Sequence, residues 1–404
     1  MTPGSRSTTT YPARCGIVPG YLLRRLAQAE PDLAPVLEFA VRDGEVTRGR
    51  REIQATRWPG GHPPEPGRRS DLLRRMSLTL PEVEQPEPRV EEHRPLSPEA
   101  RPDRRVHDAE HGTVLPGRFV RGEDDPKTDD VSVSEAFDGL GATWEVLARV
   151  YGMDSLDGWG LPLLASVHYG RDYDNAFWDG RQMVFGDGDG IYFNRFTASV
   201  DVIAHELAHG LTQYSAGLTY VGQSGALNES VSDVWGAVVS QWVLGQEARE
   251  ADWLIGAGLF TDRVQGVALR SMAAPGTAYD DPALGKDPQP GHMDDYVHLP
   301  HDAQNDNGGV HINSGIPNRA FHLFATSLGG YSWERAGMVW HDTMTTPGLI
   351  PRDVGFTGFA TATVRSAARR YGAGSEVEEA LRAAWADVGL PVGPGAEAQS
   401  RPGR

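Results

Sequence analysis

The chain has 404 residues, 39% of them hydrophobic and 23% charged, which supplies apolar material for a core spread over two or three packed units. Its net charge is −17, and because the first 105 residues are slightly basic, the whole excess of acid lies beyond them. An acidic body of this kind argues against nucleic acid as a partner, since phosphate binding needs a basic face.

The N-terminus, MTPGSRSTTTYPARCGIVPGYLLRRL, has no apolar run of the roughly 7–15 residues that a secretory signal peptide requires. No stretch approaches the ~20 apolar residues of a membrane span. Cys15 is the only cysteine, so an intrachain disulfide is excluded. Within residues 17–45, Tyr21-Leu22-Leu23-Arg24-Arg25-Leu26 has the apolar spacing of a short amphipathic helix. Residues 58–105 are rich in Pro, Arg and Glu and poor in aliphatics; they read as a linker, unable to bury enough apolar surface to fold alone.

From about residue 106 the pattern is that of a folded domain. Residues 113–200 carry short β-like runs such as Leu163 to Tyr169. Gly186-Asp187-Gly188-Asp189-Gly190 reads as a hairpin connection between Met183-Val184-Phe185 and Ile191-Tyr192-Phe193. It is a plain turn rather than a calcium loop, because position 12 of an EF-hand counted from Asp187 is Ala198 and not Glu. Beyond residue 199 the period becomes helical. Ser199 is placed to cap a helix over Val200–Tyr214, a second helix is expected over 229–244 with Gly245 as its stop, and others over 315–328, 332–345, 356–371 and 375–388.

The chemistry concentrates in His205-Glu206-Leu207-Ala208-His209, an HExxH sequence inside the first of these helices. Positions i and i+4 share one helical face, so both imidazoles can reach one metal, with Glu206 beside them to address a water. A catalytic zinc takes three protein ligands and keeps one position open. The rival pattern HExxHxxGxxH needs Gly at 212 and His at 215, where this chain has Thr212 and Ser215, so the third ligand is expected to be a glutamate. Glu229 and Asp233 stand i and i+4 in the next helix, where one can ligate while the other accepts a hydrogen bond from a ligating imidazole.

These residues sit in blocks that resemble the thermolysin-like neutral metallopeptidases, and most closely their short-precursor, protealysin-like branch. The blocks are Asn175-Ala176-Phe177-Trp178, HELAHG from His205, GALNESVSD from Gly225, LRSM from Leu269 and DNGGVHINSGIPN from Asp306, and the resemblance spans about residues 106–390. It implies an α+β zincin fold: a β-rich lobe over 106–214 ending in the zinc helix, and a helical lobe over 215–392. Before them it implies a short propeptide over 1–57 and a linker over 58–105 cut near Arg104-Arg105, and residues 393–404 read as a flexible tail. His205, His209 and Glu229 would be the ligands of one zinc ion and Glu206 the general base. Asp233 and Asn228 would orient His205 and His209, and Tyr220 and His311, the latter held by Asp306, would donate to the oxyanion. Arg270, Asn175 and the backbone of Ala176 would grip the peptide on the leaving side. Phe193, Val202, Ile255 and Leu269 would form a pocket for a bulky apolar residue just after the scissile bond.

Two departures stand out. The family's paired calcium site keeps Asp201 and Asp252, but Ser240, Leu254 and Ala257 occupy positions where acids are expected, so tight calcium binding there should be lost. In CGIVPGYLL, from Cys15 to Leu23, the propeptide carries a thiol, and ligation of zinc by the Cys15 thiolate is weighed against a buried structural role. The resemblance implies a self-processing endopeptidase that cuts before large hydrophobic residues, acts as a monomer on proteins or peptides, and binds its own propeptide. An extracellular location reached without a recognisable signal peptide is expected, with a cytoplasmic one as the alternative. An aminopeptidase lacks its block for a free amine here, and a zinc-stabilised binding or toxin module would have no need of Glu206, Tyr220 and His311.

Overall fold

The computed structural model describes residues 16–44 and 96–393, which leaves Cys15, most of the expected linker and residues 394–404 outside the described residues. The N-terminal segment forms helix α1 over Gly20–Ala29, burying Leu22, Leu23 and Leu26 on one face, and helix α2 over residues 34–44. The apolar spacing read from the sequence thus lies inside α1.

A five-stranded sheet follows, made of β1 (Arg104–Asp108), β2 (Arg118–Arg121), β3 (Leu163–Val167), β4 (Ala176–Trp178) and β5 (Met183–Phe185). Its order is β2-β1-β3-β5-β4, with β1–β3 and β3–β5 parallel and the two edge pairs antiparallel. β1 is an interior strand and begins at Arg104. Arg104 and Arg105 are thus paired with Leu163 and Leu164 of β3, and a cut between them would fall inside the sheet.

The β-like reading of residues 113–200 needs correction: between β2 and β3 lies a 21-residue helix, α3 (Val131–Tyr151). Its opening Val-Ser-Val-Ser alternates like a strand, and Gly139 and Gly141 lower its intrinsic helical preference. Tertiary packing overrides both. A Cβ on Gly139 would stand 2.4 Å from Ile203 Cδ1, and one on Gly141 would stand 2.3 Å from Arg104 Nη1, so glycine lets α3 lie close to its neighbours. Asp130 caps its start, accepting the Val133 N–H at 3.1 Å. The expected hairpin also differs. Residues 186–190 form a loop wound on Asp189, whose Oδ1 takes the N–H groups of Ile191, Tyr192 and Phe193 at 2.7–3.0 Å, so 191–193 does not pair with β5.

Helix α4 covers Val200–Tyr214 as expected, but Ser199 caps no N–H; its hydroxyl turns to Asp201 and Ala257 instead. Helix α5 runs over Gly222–Leu244, starting seven residues earlier than expected because its first turn, Gly-Gln-Ser-Gly, carries no apolar period. The two helices pack along each other, and residues 201–212 of α4 are buried without a break. A helix buried on every face must give each of its polar side chains a partner, which concentrates chemistry at His205, Glu206 and His209.

Two short strands, β6 (Leu254–Ile255) and β7 (Arg270–Ser271), pair antiparallel beside this core. The C-terminal lobe is helical: α6 (Asp306–Asn313), α7 (Gly315–Leu328), α8 (Arg335–Thr345), α9 (Phe356–Tyr371) and α10 (Glu376–Asp387). Its centre is Trp340, ringed by Phe321, Phe359 and Trp385 with ring centroids 4.9–6.0 Å away; truncating Trp340 to Ala would cost roughly 3–5 kcal/mol.

Candidate metal centre and peptide cleft

The floor of the site is the facing pair α4 and α5. His205 and His209, one turn apart on α4, and Glu229 of α5 are all buried, and their ligand atoms lie within 4.8 Å of one another. Glu229 Oε2 is 3.6 Å from His205 Nε2, and its Oε1 is 3.5 Å from His209 Nε2. Among the described residues this is the one group of three His, Cys, Asp or Glu side chains placed to hold a metal.

The outer hydrogen bonds fix which nitrogen faces inward. His205 Nδ1 lies 2.8 Å from the Asp233 carboxylate, which can only accept, so Nδ1 carries the proton and Nε2 presents its lone pair. His209 Nδ1 is 2.8 Å from Asn228 Oδ1, and that amide is oriented by its own Nδ2 donating to Leu218 O at 3.3 Å. His205 Nε2 is buried with no hydrogen-bond partner, a cost that a metal ligand would remove. Two imidazole lone pairs and a carboxylate fit zinc.

Asp233 does more than hold His205. Arg270 forks onto it, Nε to Oδ2 at 2.9 Å and Nη2 to Oδ1 at 2.8 Å, and Asn318 Nδ2 donates at 2.8 Å. Burial alone would raise the Asp233 carboxyl; the Arg270 charge and the His205 hydrogen bond overcome it and hold the group at about 2. Glu206 is fully buried beside the two histidines, and the Trp178 N–H of β4 donates to its Oε2 at 2.8 Å.

His311 approaches from α6. The chain at Asp306–Gly309 runs through four successive positive φ angles, which Gly308 and Gly309 adopt without strain. That turn folds Asp306 back onto its own helix, where it accepts from the His311 backbone N–H at 2.8 Å and meets His311 Nδ1 at 2.6 Å. His311 Nε2 faces the centre, 3.5 Å from Glu229 Oε2 and 3.4 Å from the Tyr220 hydroxyl. Tyr220 itself donates to Glu229 Oε1.

The residues expected to grip a peptide are gathered here and engage the chain's own N-terminal segment. The Ile17 N–H donates to Ala176 O at 3.1 Å, and Arg270 Nη1 donates to Ile17 O at 3.2 Å. The Asn175 amide accepts the Val18 N–H and donates to Val18 O, both at 3.0 Å. Phe193, Val202, Ile255 and Leu269 are all buried, and the Leu269 N–H donates to Ile255 O at 3.0 Å, so two of the four residues expected to line a pocket adjoin the strand pair that carries Arg270. Sequence reasoning missed Asn318 as a support of Asp233, although it stands in the NSGIPN block, and missed the Trp178 N–H, a backbone donor that no residue type announces.

Elsewhere, Asp201 is buried and accepts the Gly256 N–H at 2.6 Å and the Ser199 hydroxyl, while Asp252 is exposed and accepts the Leu254 N–H at 3.0 Å. No helix among the described residues is long and apolar enough to cross a membrane.

Two family models match the chain: the thermolysin metallopeptidase catalytic domain over residues 99–213 and the thermolysin metallopeptidase alpha-helical domain over residues 216–390. An extracellular metalloprotease of Pectobacterium carotovorum subsp. carotovorum is 52% identical over 305 residues, spanning 76% of this chain and 86% of that protein. Thermolysin of Alicyclobacillus acidocaldarius subsp. acidocaldarius is 36% identical over 294 residues, 70% of this chain and 50% of the relative. Among solved structures, the precursor of protealysin, a metalloproteinase from Serratia proteamaculans, superposes with a TM-score of 0.73 at 43% identity, covering 93% of this chain and 99% of that one.

Proposed function

This chain belongs to the thermolysin metallopeptidases, and from that premise we propose that it is a zinc endopeptidase, made as a precursor, that cuts peptide bonds before bulky hydrophobic residues. The observation that carries the reading is the inward lone pair of His205 and His209, each set by a named acceptor on its other nitrogen, facing the Glu229 carboxylate. His205, His209 and Glu229 would hold a zinc ion, which would supply the Lewis acidity that makes water acidic enough to attack at neutral pH and polarises a carbonyl.

The protein's own groups do the rest. Glu206, held by the Trp178 N–H, takes the proton of the attacking water and passes it to the leaving amine. His311, which as an imidazolium gives Nδ1–H to Asp306 and keeps Nε2–H to donate, and Tyr220 donate to the oxyanion, each worth roughly 2.7–4 kcal/mol of barrier. Asn175, Ala176 and Arg270 hold the leaving-side backbone, and Phe193, Val202, Ile255 and Leu269 take the side chain that follows the cut. A buried carboxylate beside the ligands and donors oriented at the same centre favour catalysis over a closed structural site.

Residues 1–57 are read as a propeptide followed by a linker, supported by the likeness to a protease precursor over 93% of the chain and by the bonds of Ile17 and Val18 to the gripping residues. Processing is placed before β1, since a cut at Arg104-Arg105 would fall inside the sheet. Loss of the calcium pair is supported by Asp201, which spends its carboxylate on Gly256 and Ser199. The relatives' extracellular setting supports secretion of this chain, which is proposed to act as a monomer. Cleavage of a proteome-derived peptide library, read by mass spectrometry, tests the reading: Leu, Ile, Val or Phe should dominate just after the cut, and a preference for a free N-terminus or for charged residues there would overturn it.

A further inference from the structure

We propose that Tyr192 and Arg263 form a carboxylate-binding subsite beside the hydrophobic pocket. Glu30 fills it in the precursor; once that segment has left, an acidic group of a peptide substrate, a few residues beyond the cut, takes its place. The inference rests on the proposed processing of the precursor and on the proposed role of Phe193 as a wall of the pocket.

Glu30 follows helix α1 and shows what the site takes. Its Oε1 accepts from the Tyr192 hydroxyl at 2.5 Å and from Arg263 Nη2. The Arg263 guanidinium also lies over the Tyr192 ring, its Cζ 4.6 Å from the centroid, so a phenol and a cation converge on one carboxylate oxygen. Among the described residues Glu30 is the one carboxylate that Arg263 bridges. Asp281 feels the same charge, but it accepts the N–H groups of Gln265, Ala283 and Leu284 at 2.8–3.0 Å instead. A chain of net charge −17 thus keeps a cation here whose carboxylate partner belongs to the proposed propeptide.

Both donors hang on the framework of the pocket wall and not on Glu30. Asp189 Oδ1 accepts the Tyr192 and Phe193 N–H groups at 2.7 and 3.0 Å. The Thr261 N–H donates to Tyr192 O at 3.1 Å, and the Thr261 hydroxyl accepts the Arg263 N–H at 3.3 Å. Phe193 bridges Phe260 between these two runs, with ring centroids 5.6 Å apart. Loss of Glu30 therefore leaves the phenol and the guanidinium placed to receive another carboxylate. Helix α1, ten residues long, covers about 15 Å between Val18, which Asn175 holds, and Glu30. An extended peptide crosses that distance in about five residues, which sets the position of the acid relative to the residue that Asn175 grips. The Arg263 side chain is 52% exposed, so the preference is modest and falls with salt.

The test uses the full chain after it has shed residues 16–44 by its own processing, checked by mass spectrometry. Fluorogenic peptides share one cleavable bond and an amidated end, and carry Glu, Gln or Lys at each of the third to eighth positions on the leaving side. Glu should exceed Gln by about fivefold in kcat/KM at one or two of these positions, through KM, and about 0.5 M salt should shrink the ratio. Arg263→Glu should turn the preference toward Lys, and Tyr192→Phe should at least halve it. Peptides that end at the preferred position with a free carboxylate identify whether a chain end serves as well as a side chain. Equal rates for Glu and Gln at every position, or an Arg263→Glu enzyme with its parent's preference, would overturn the subsite. A chain that neither sheds the segment nor cleaves any peptide would overturn the proposed function instead. The subsite is then judged on the full Glu30→Ala chain, where dansyl-glutamic acid α-amide should bind and dansyl-glutamine amide should not, and equal binding of the two rejects it.

Discussion

Asp233 joins two functions in one carboxylate, and replacing it with Asn tests both. The side chain keeps its shape, but the Arg270 guanidinium, only 3% exposed, loses its counter-charge, and breaking such a buried pair from one side costs about 3–5 kcal/mol. An independent route comes from the carboxyl itself. Its pKa of about 2 lies nearly two units below the ordinary 3.8, worth roughly 2–3 kcal/mol of stability at neutral pH. The folded value is depressed, so this contribution is present above pH ~4 and is lost as pH falls through about 2. For a folded body of about 300 residues, 3 kcal/mol corresponds to a fall in Tm of about 5 °C. His205 also loses its strong acceptor, so zinc affinity should fall about 10–100-fold. Calorimetry at fixed zinc and a competition titration, both on the Glu206→Gln chain, read the two effects. Adding Arg270→Met to Asp233→Asn should restore most of the stability but not the zinc affinity. An Asp233→Asn chain that melts within about 1 °C of its parent and binds zinc as tightly would refute the shared role.

Glu206→Gln should lower the cleavage rate by at least about 10²-fold while zinc content stays unchanged, and a variant that still cuts would remove Glu206 from the chemistry. Tyr220→Phe should reduce kcat by about 10²–10³ with little change in KM, measured on one fluorogenic peptide; an equal loss in KM would make it a binding residue. A calcium-selective chelator at constant zinc should leave Tm unchanged, and a large fall would show that Asp201 and Asp252 still serve a calcium site. His168 is pushed up to about 9 by its hydrogen bond to Asp187 against the penalty of burial, with Asp130 on its other nitrogen. Its folded pKa is raised, so the stability it lends is full below pH ~6.5 and lost as pH passes about 9; His168→Gln should cost about 1 kcal/mol at pH 6, after allowance for solvent screening, and almost nothing at pH 10.

The zinc helix was legible because two histidines four apart, an interposed glutamate and a long buried run all require the same element; α4 lies over the residues its period marked. Helices 315–328 and 356–371 were equally plain from their apolar spacing. Helix α3 was not, since its two glycines and alternating start make local sense only as strand or loop, and the reason for them is the proximity of Ile203 and Arg104. The same holds for the loop on Asp189, where one carboxylate collects three backbone N–H groups and replaces a hairpin that the glycine spacing favoured. Within the site, residue types pointed to the His205, His209 and Glu229 cluster with Glu206 beside it, but the fork of Arg270 on Asp233 and its reach to Ile17 depend on contacts across more than 30 and more than 250 residues. Those separations leave no local trace.

The central claim is that two imidazoles of α4 and one carboxylate of α5 close on a single divalent ion, and elemental analysis of the purified, folded chain tests it most directly. One zinc per chain is expected, unchanged by Glu206→Gln and lost by Glu229→Ala or His205→Ala. A folded chain that cleaves protein substrates with no transition metal in it would contradict the account.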